Sequence, residues 1–168
     1  LYTGYTVIEA KGTDHVTSAV IGKVNPDWSI VPGSEMEIEC DIIAMGVGLK
    51  PLTGMPYMAK CDMVFDKALG GWAPCHDKDM ESSEDGIYVA GDTTGLEEAS
   101  TAIEEGNIAG TAAAKALGKV SKEEADKEIE AGWRRLKRLR SGFKSEERVA
   151  AKKLQLARYE EVKKERGE

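Results

Sequence analysis

The sequence predicts an α/β fold in which a short β-meander leads into buried strands, then a long helix of small residues, then a charged helical tail. Three observations carry this. Residues 1–48 are rich in alternating, β-branched runs. Two continuously apolar runs, Ile42–Val47 and Gly86–Ala90, have the pattern of strands covered on both faces, as in a parallel sheet. Residues 97–117 repeat small apolar residues at helical spacing.

The elements follow in order. Tyr5–Ala10 alternates, and Gly12-Thr-Asp-His marks a turn. Val16–Val24 is a second strand, closed by Asn25-Pro-Asp, and Val31-Pro-Gly-Ser begins another turn. Glu35–Glu39 alternates acids with Met36 and Ile38, one face wet and one dry. Residues 49–85 are loop-rich: Lys50-Pro-Leu-Thr-Gly-Met-Pro is excluded from a helix interior, and Ala68-Leu-Gly-Gly-Trp-Ala-Pro has the look of a hairpin tip. In the helix over 97–117, Ala99, Ala102, Ile103, Gly106, Ala109, Gly110, Ala113 and Leu117 form the expected buried stripe. Gly106 and Gly110 each cost about 1 kcal/mol against Ala, a cost that close packing or a ligand would explain. Ser121-Lys-Glu-Glu is a capping box. It opens a helix over Glu123–Arg140, with acids early and bases late as the helix dipole favours. Ile129, Trp133, Leu136 and Leu139 or Arg140 give its modest apolar stripe. Ser141-Gly-Phe breaks it, and Ser145–Arg166 forms a last helix with a thin stripe through Val149, Leu156 and Tyr159.

Charge divides the chain. Residues 1–117 hold seven Lys, no Arg and 19 acids, a net of −12, whereas residues 118–168 hold 16 bases and 11 acids, a net of +5. The acidic front argues against a large nucleic-acid surface. No run approaches the length of a membrane span, and the first residues lack the basic and apolar regions of a signal peptide. Cys40, Cys61 and Cys75 are odd in number and widely spaced. They make no disulfide framework, so a reducing, cytoplasmic setting is expected.

The chemistry concentrates in Asp85-Gly-Ile-Tyr-Val-Ala-Gly-Asp-Thr-Thr-Gly and the helix that follows. An apolar run delivers Gly91 and Asp92 at its carboxyl end, where ligands of open α/β sheets bind. Gly91 permits close approach to the backbone, and Asp92 can accept hydrogen bonds from sugar-like hydroxyls. The helix start near Ala99 offers free N–H groups and partial positive charge to an anion or a carbonyl.

Ile-Tyr-Val-Ala-Gly-Asp before an Ala/Gly-rich helix resembles the second FAD-binding motif of the pyridine nucleotide-disulfide oxidoreductase superfamily. The resemblance implies that Asp92 binds a ribityl hydroxyl of FAD. It also implies that the backbone around Ala99, Ser100 and Thr101 faces the flavin pyrimidine carbonyl. Upstream, Glu39-Cys-Asp-Ile-Ile-Ala-Met-Gly-Val-Gly-Leu-Lys-Pro resembles the last NAD(P)-domain strand and the crossing back to the FAD domain, with Gly46, Gly48 and Pro51 fitting the pattern. The interval between the motifs, and Pro74-Cys-His-Asp within it, look most like the flavoprotein subunits of sarcosine oxidase, opine oxidase and cyanide synthase. The implied fold is part of a Rossmann-like, glutathione-reductase-type FAD/NAD(P)-binding fold. Residues 1–48 would end the NAD(P)-binding domain, residues 49–118 would be the C-terminal part of the FAD-binding domain, and residues 119–168 would be the charged helical tail.

Neither Gly-x-Gly-x-x-Gly fingerprint is present, and those loops hold the cofactor pyrophosphates in this superfamily. The expectation is therefore a C-terminal portion of a longer or split FAD-dependent oxidoreductase linked to NAD(P)H. It would be completed by N-terminal FAD/NAD(P) segments or a partner subunit and bind FAD weakly or not at all alone. The sequence has no Cys-x-x-Cys pair for disulfide reductase chemistry. The cysteine-rich iron–sulfur segment of the amine-oxidase-type subunits is also absent, its place taken by the charged tail. The rival from another class is a non-catalytic interaction module whose tail holds a partner subunit or a second copy. Cys40 reads as inert core beside a buried strand and His15 as solvated. Trp133 reads as an anchor for the tail, and Cys75-His76 with Asp77 and Asp79 as too closely spaced for a metal site. The basic run Arg134–Arg140 could bind nucleic acid or anionic lipid, form a wet face, or dock on acids, the nearest of which lie in the front of this chain.

Overall fold

The computed structural model describes residues 1–142 and 145–167. The chain divides into two compact units, Leu1–Gly48 and Leu49–Glu168.

The first unit is an antiparallel sheet of order β1-β2-β3, from β1 (Tyr5–Lys11), β2 (Ser18–Lys23) and β3 (Met36–Glu39). The alternating runs pair as their pattern demands. The β1–β2 register slips between Val7 and Glu9, a bulge that bends the strand. Glu37 ties β3 back to its neighbours, accepting from Lys11 Nζ at 2.7 Å and Ser18 Oγ at 2.5 Å. The strand expected over Ile42–Val47 does not form. Ile42 is 76% and Val47 88% exposed, and residues 42–48 carry no regular structure. An apolar run becomes a strand only where a neighbour completes its backbone ladder, and nothing among the described residues does so here. Cys40 is half-buried beside this run, not core.

The second unit opens on a short helix, α1 (Gly54–Met58). It lies partly inside the stretch expected to exclude helix. Pro56 is tolerated because it sits in the first turn, where backbone N–H groups have no intrahelical acceptor. Next, β4 (Met63–Asp66) and β5 (Gly71–Pro74) form an antiparallel hairpin. Its tip is Lys67–Gly70, overlapping only the first part of the expected Ala68–Pro74 tip, whose remainder is β5 itself; Asp66 Oδ1 accepts from the Ala68 N–H at 2.7 Å. Gly86–Ala90 is not the parallel strand expected. It is reduced to an isolated antiparallel bridge of Tyr88 with Glu81 and a bond from the Val89 N–H to Met80 O at 2.9 Å. The fold is thus mixed α/β with small antiparallel sheets, and no parallel sheet occurs among the described residues.

Three long helices complete the unit: α2 (Ala99–Ala116), α3 (Lys122–Leu139) and α4 (Glu146–Arg166). Ser121 caps α3, its Oγ accepting from the Glu124 N–H at 3.2 Å. The helix ends before Arg140, and the chain turns at Ser141 and Gly142; Phe143, the third residue of the expected break, lies outside the described residues. One core joins Met80, Ile108, Ala109, Ala112, Ile129 and Leu136, and another joins Val64, Leu69, Ala73 and Ala151. Trp133 anchors α3, its indole N–H donating to Lys78 O at 2.7 Å.

The orientation of α2 departs from the expected stripe. Thr101, Glu105, Ile108, Ala109 and Ala112 are buried, whereas Ala99, Ile103, Gly106, Gly110 and Leu117 are exposed. The close approach expected at Gly106 or Gly110 occurs instead at Gly132 of α3. A Cβ there would lie 2.7 Å from Ile108 Cγ1, so only glycine lets α2 and α3 meet. What turns α2 this way is charge, described next.

Candidate functional site

The turn after Ala90 is a single 3-10 turn, Gly91–Thr94. Gly91 adopts φ +66°, in the left-handed region that favours glycine. A Cβ on it would meet Ala102 Cβ at 3.3 Å, so the turn is pressed against the first turns of α2. Asp92 is exposed beside it. The N-cap of α2 is Glu98, in extended conformation, and no side chain caps the helix. Ala99 and Ser100 are exposed, while Thr101 is buried and its hydroxyl donates to Glu98 O at 2.6 Å. The structure therefore brings Gly91 together with the helix start, beside an exposed carboxylate. Gly46 and Gly48 belong to the other unit, in its exposed run, where a Cβ on either would meet open space.

Behind the turn lies a group of buried charges that sequence reasoning missed. Glu97, Glu105, Arg140 and Lys152 have side chains no more than 8% exposed. Two carboxylates face two cations, so the group is neutral. Glu105 Oε2 accepts from the Gly91 N–H at 2.9 Å and from the Thr94 hydroxyl at 2.6 Å. Glu105 Oε1 accepts from Lys152 Nζ at 2.8 Å and from Arg140. Arg140 also pairs with Glu97, its Nε 2.9 Å from Glu97 Oε1. Lys152 Nζ further donates to Thr94 O at 3.0 Å and Oγ1 at 2.8 Å. Gln155 Nε2 donates to Thr94 O at 2.9 Å and Pro74 O at 2.8 Å.

Burial opposes ionisation of Glu105, but Lys152, Thr94 and Arg140 outweigh it and bring the carboxyl down to about 2. The guanidinium of Arg140 gains from Glu97 and Glu105 more than burial takes away, so it is held above its ordinary range. Nearby, His76 is fully buried, and burial pushes its imidazole down to about 4. Its Nδ1 lies 2.8 Å from Asp77 O. A carbonyl only accepts, so Nδ1 carries the proton and neutral Nε2 is left without a partner. Burial likewise raises the Cys75 thiol to about 11. No cluster that could hold a metal ion occurs among the described residues.

The basic run of α3 docks on acids of this chain. Arg135 pairs with Glu104 at 2.8 Å and Glu128 at 2.9 Å, and Arg140 closes on Glu97 and Glu105. Arg134 pairs within α3, with exposed Glu130. Further along α4, Arg166 reaches Ser83 O at 2.8 Å and Glu84 at 2.7 Å. One signal could have found the buried cluster. The stripe Val149, Leu156 and Tyr159 is too thin to cover a buried face, so α4 must bury polar residues, here Lys152 and Gln155.

No helix among the described residues is long and apolar enough to cross a membrane. No family model matches the chain. Over 89 residues it is 35% identical to an opine oxidase subunit of Rhizobium meliloti, covering 53% of this chain and 17% of that protein. The corresponding opine oxidase subunit of Rhizobium meliloti strain 1021 is 34% identical over 87 residues, covering 49% of this chain and 19% of that one. The hydrogen cyanide synthase subunit HcnB of Pseudomonas aeruginosa is 25% identical over 165 residues, 96% of this chain and 35% of that one. The chain is thus a distant relative of oxidase and synthase subunits and spans only about a sixth to a third of their length.

Proposed function

We propose that this chain is the C-terminal, flavin-contacting portion of an FAD-dependent oxidoreductase subunit linked to NAD(P)H. The observation that carries the reading is the juxtaposition of Gly91, Asp92 and the uncapped start of α2. An exposed carboxylate stands at a glycine turn pressed against a helix N-terminus. In this reading Asp92 accepts a hydrogen bond from a ribityl hydroxyl. The helix start at Ala99, Ser100 and Thr101 offers its partial positive charge to the pyrimidine carbonyl and so favours negative charge on a reduced flavin, although the Thr101 N–H itself is given to Glu98 O at 2.9 Å. FAD supplies the hydride chemistry when bound, and this chain supplies contacts and orientation rather than an acid, base or nucleophile. Gly46 and Gly48 mark the crossing between the domains. Residues 1–48, 49–118 and 119–168 keep the assignments given above to the NAD(P) domain, the FAD domain and the tail.

The relatives' names, all subunits of an oxidase or a synthase, support a multi-subunit oxidoreductase. So does the exposed apolar surface of the second unit. Leu52, Met55, Tyr57, Met58, Phe65 and Trp72 are each more than half exposed. Large apolar side chains exposed in this way suit an interface with the rest of the enzyme.

The test is an absorption spectrum of the assembly that co-purifies with this chain from its source. A flavin band that bleaches on addition of NADH or NADPH is expected. A colourless assembly containing every co-purifying subunit would overturn the proposal.

A further inference from the structure

The buried charges behind the turn play no part in the contacts just proposed, yet Glu97, Glu105, Arg140 and Lys152 are all bonded to one another or to the turn. We propose that Glu105 is a positioning residue for the Gly91–Thr94 turn, and that the helical tail controls how firmly it holds that turn, through Arg140 and Lys152. The relevance to cofactor binding rests on the flavin reading; the mechanical coupling does not.

The division of labour on one carboxylate carries the inference. Glu105 Oε2 takes both bonds from the turn, the Gly91 N–H at 2.9 Å and the Thr94 hydroxyl at 2.6 Å. Glu105 Oε1 takes both bonds from the tail, Lys152 at 2.8 Å and Arg140. The carboxylate is therefore a bridge with the turn on one oxygen and the tail on the other. Lys152 doubles the link by reaching Thr94 O and Oγ1, and Gln155 seconds it at Thr94 O. Asp92 lies between two residues clamped in this way, so the place of its exposed carboxylate is set from both sides.

The turn depends on the tail through the charge state of Glu105. A buried carboxylate without a cation is costly and tends to take up a proton. Protonated, Glu105 would have to donate from one oxygen and would be a poorer acceptor for the Gly91 N–H. Releasing the tail removes both cations at once and slackens the turn, even though no residue of the tail touches Asp92 in any bond described above. A partner that pulled α4 away would act on the turn by this route.

Amide hydrogen exchange on the full 168-residue chain, with no flavin present, tests the coupling. Lys152→Met keeps much of the side-chain volume and removes the charge. We expect it to speed exchange at the Gly91 amide by at least about tenfold, the scale of losing one charge-assisted bond. Exchange at Ile108 and Ala109 in the middle of α2 should hold, and Lys153→Met, one residue on and exposed, should change neither. Lys152→Arg, which keeps the cation, should restore most of the protection. Should Lys152→Met lose helix content, Thr94→Val takes its place; it removes the hydroxyl's bond to Glu105 Oε2 and the Lys152 bond to Oγ1 while leaving both cations on Oε1, and it should raise exchange at Gly91 in the same way. Unchanged exchange at Gly91 would overturn the proposal. An equal rise at Gly91 and Ile108 would overturn it too, because that is mere loosening of the unit. Because no flavin is used, failure here is distinct from failure of the functional reading.

Discussion

The two faces of α2 teach opposite lessons. One face, Ala99, Ile103, Gly106, Gly110 and Leu117, is small and apolar by sequence and lies exposed. The other, Thr101, Glu105, Ile108 and Ala112, carries a carboxylate and lies buried. Hydrophobicity alone would rotate the helix the other way. What decides is that Glu105 finds two cations, an N–H and a hydroxyl on the buried side, and a buried charge is tolerable when so fully paired.

The sharpest way to break this contrast is Glu105→Leu. It leaves Arg140 and Lys152 buried without their shared carboxylate. We expect a loss of about 3–5 kcal/mol in denaturant unfolding, with part recovered in the double variant Glu105→Leu, Lys152→Met. Next comes acid. His76 is neutral in the fold and takes a proton only near 4, whereas the unfolded chain takes it near 6.5. Its contribution is fully present above about pH 6.5 and is lost as pH falls toward 4, on the order of 3 kcal/mol. Glu105 adds a second stage. Its carboxyl titrates near 2 against 4.5 unfolded, so stability falls again as pH drops through that window. Unfolding midpoints against pH should show both stages, and His76→Phe should flatten only the upper one.

Smaller effects separate the faces further. Gly132→Ala puts a Cβ 2.7 Å from Ile108 Cγ1 on the buried side and should cost about 1–3 kcal/mol by overpacking, read as a lowered unfolding midpoint. Gly106→Ala adds a methyl to open space on the exposed side and should stabilise the chain by about 1 kcal/mol. A loss of stability there would show that this face is packed after all.

Much of the chain was legible from local signals. β1, β2 and β3 followed from alternation, the β4–β5 hairpin from Gly70-Gly71, and α3 from its capping Ser121. The failures share a cause. Ile42–Val47 and Gly86–Ala90 have the composition of buried strands, but composition cannot show whether a neighbour completes the ladder. The rotation of α2 was illegible because Arg140 lies 35 and Lys152 47 residues from Glu105. No periodicity links residues so far apart. Of the candidate site, Gly91, Asp92 and the start of α2 are brought together by the structure. The buried support behind them carries no motif in the sequence.

The most direct measurement is flavin retention by the purified assembly containing this chain, wild type against Asp92→Ala. The Asp92 side chain is exposed and makes none of the hydrogen bonds described for the turn, and its backbone carbonyl, which accepts from the Gly95 N–H at 3.3 Å, is kept in the variant, so the fold should stay intact. We expect the wild type to keep its FAD through gel filtration and Asp92→Ala to release it, with unchanged subunit composition and helix content. Equal retention of flavin by both proteins would contradict the assignment of this turn as a cofactor contact.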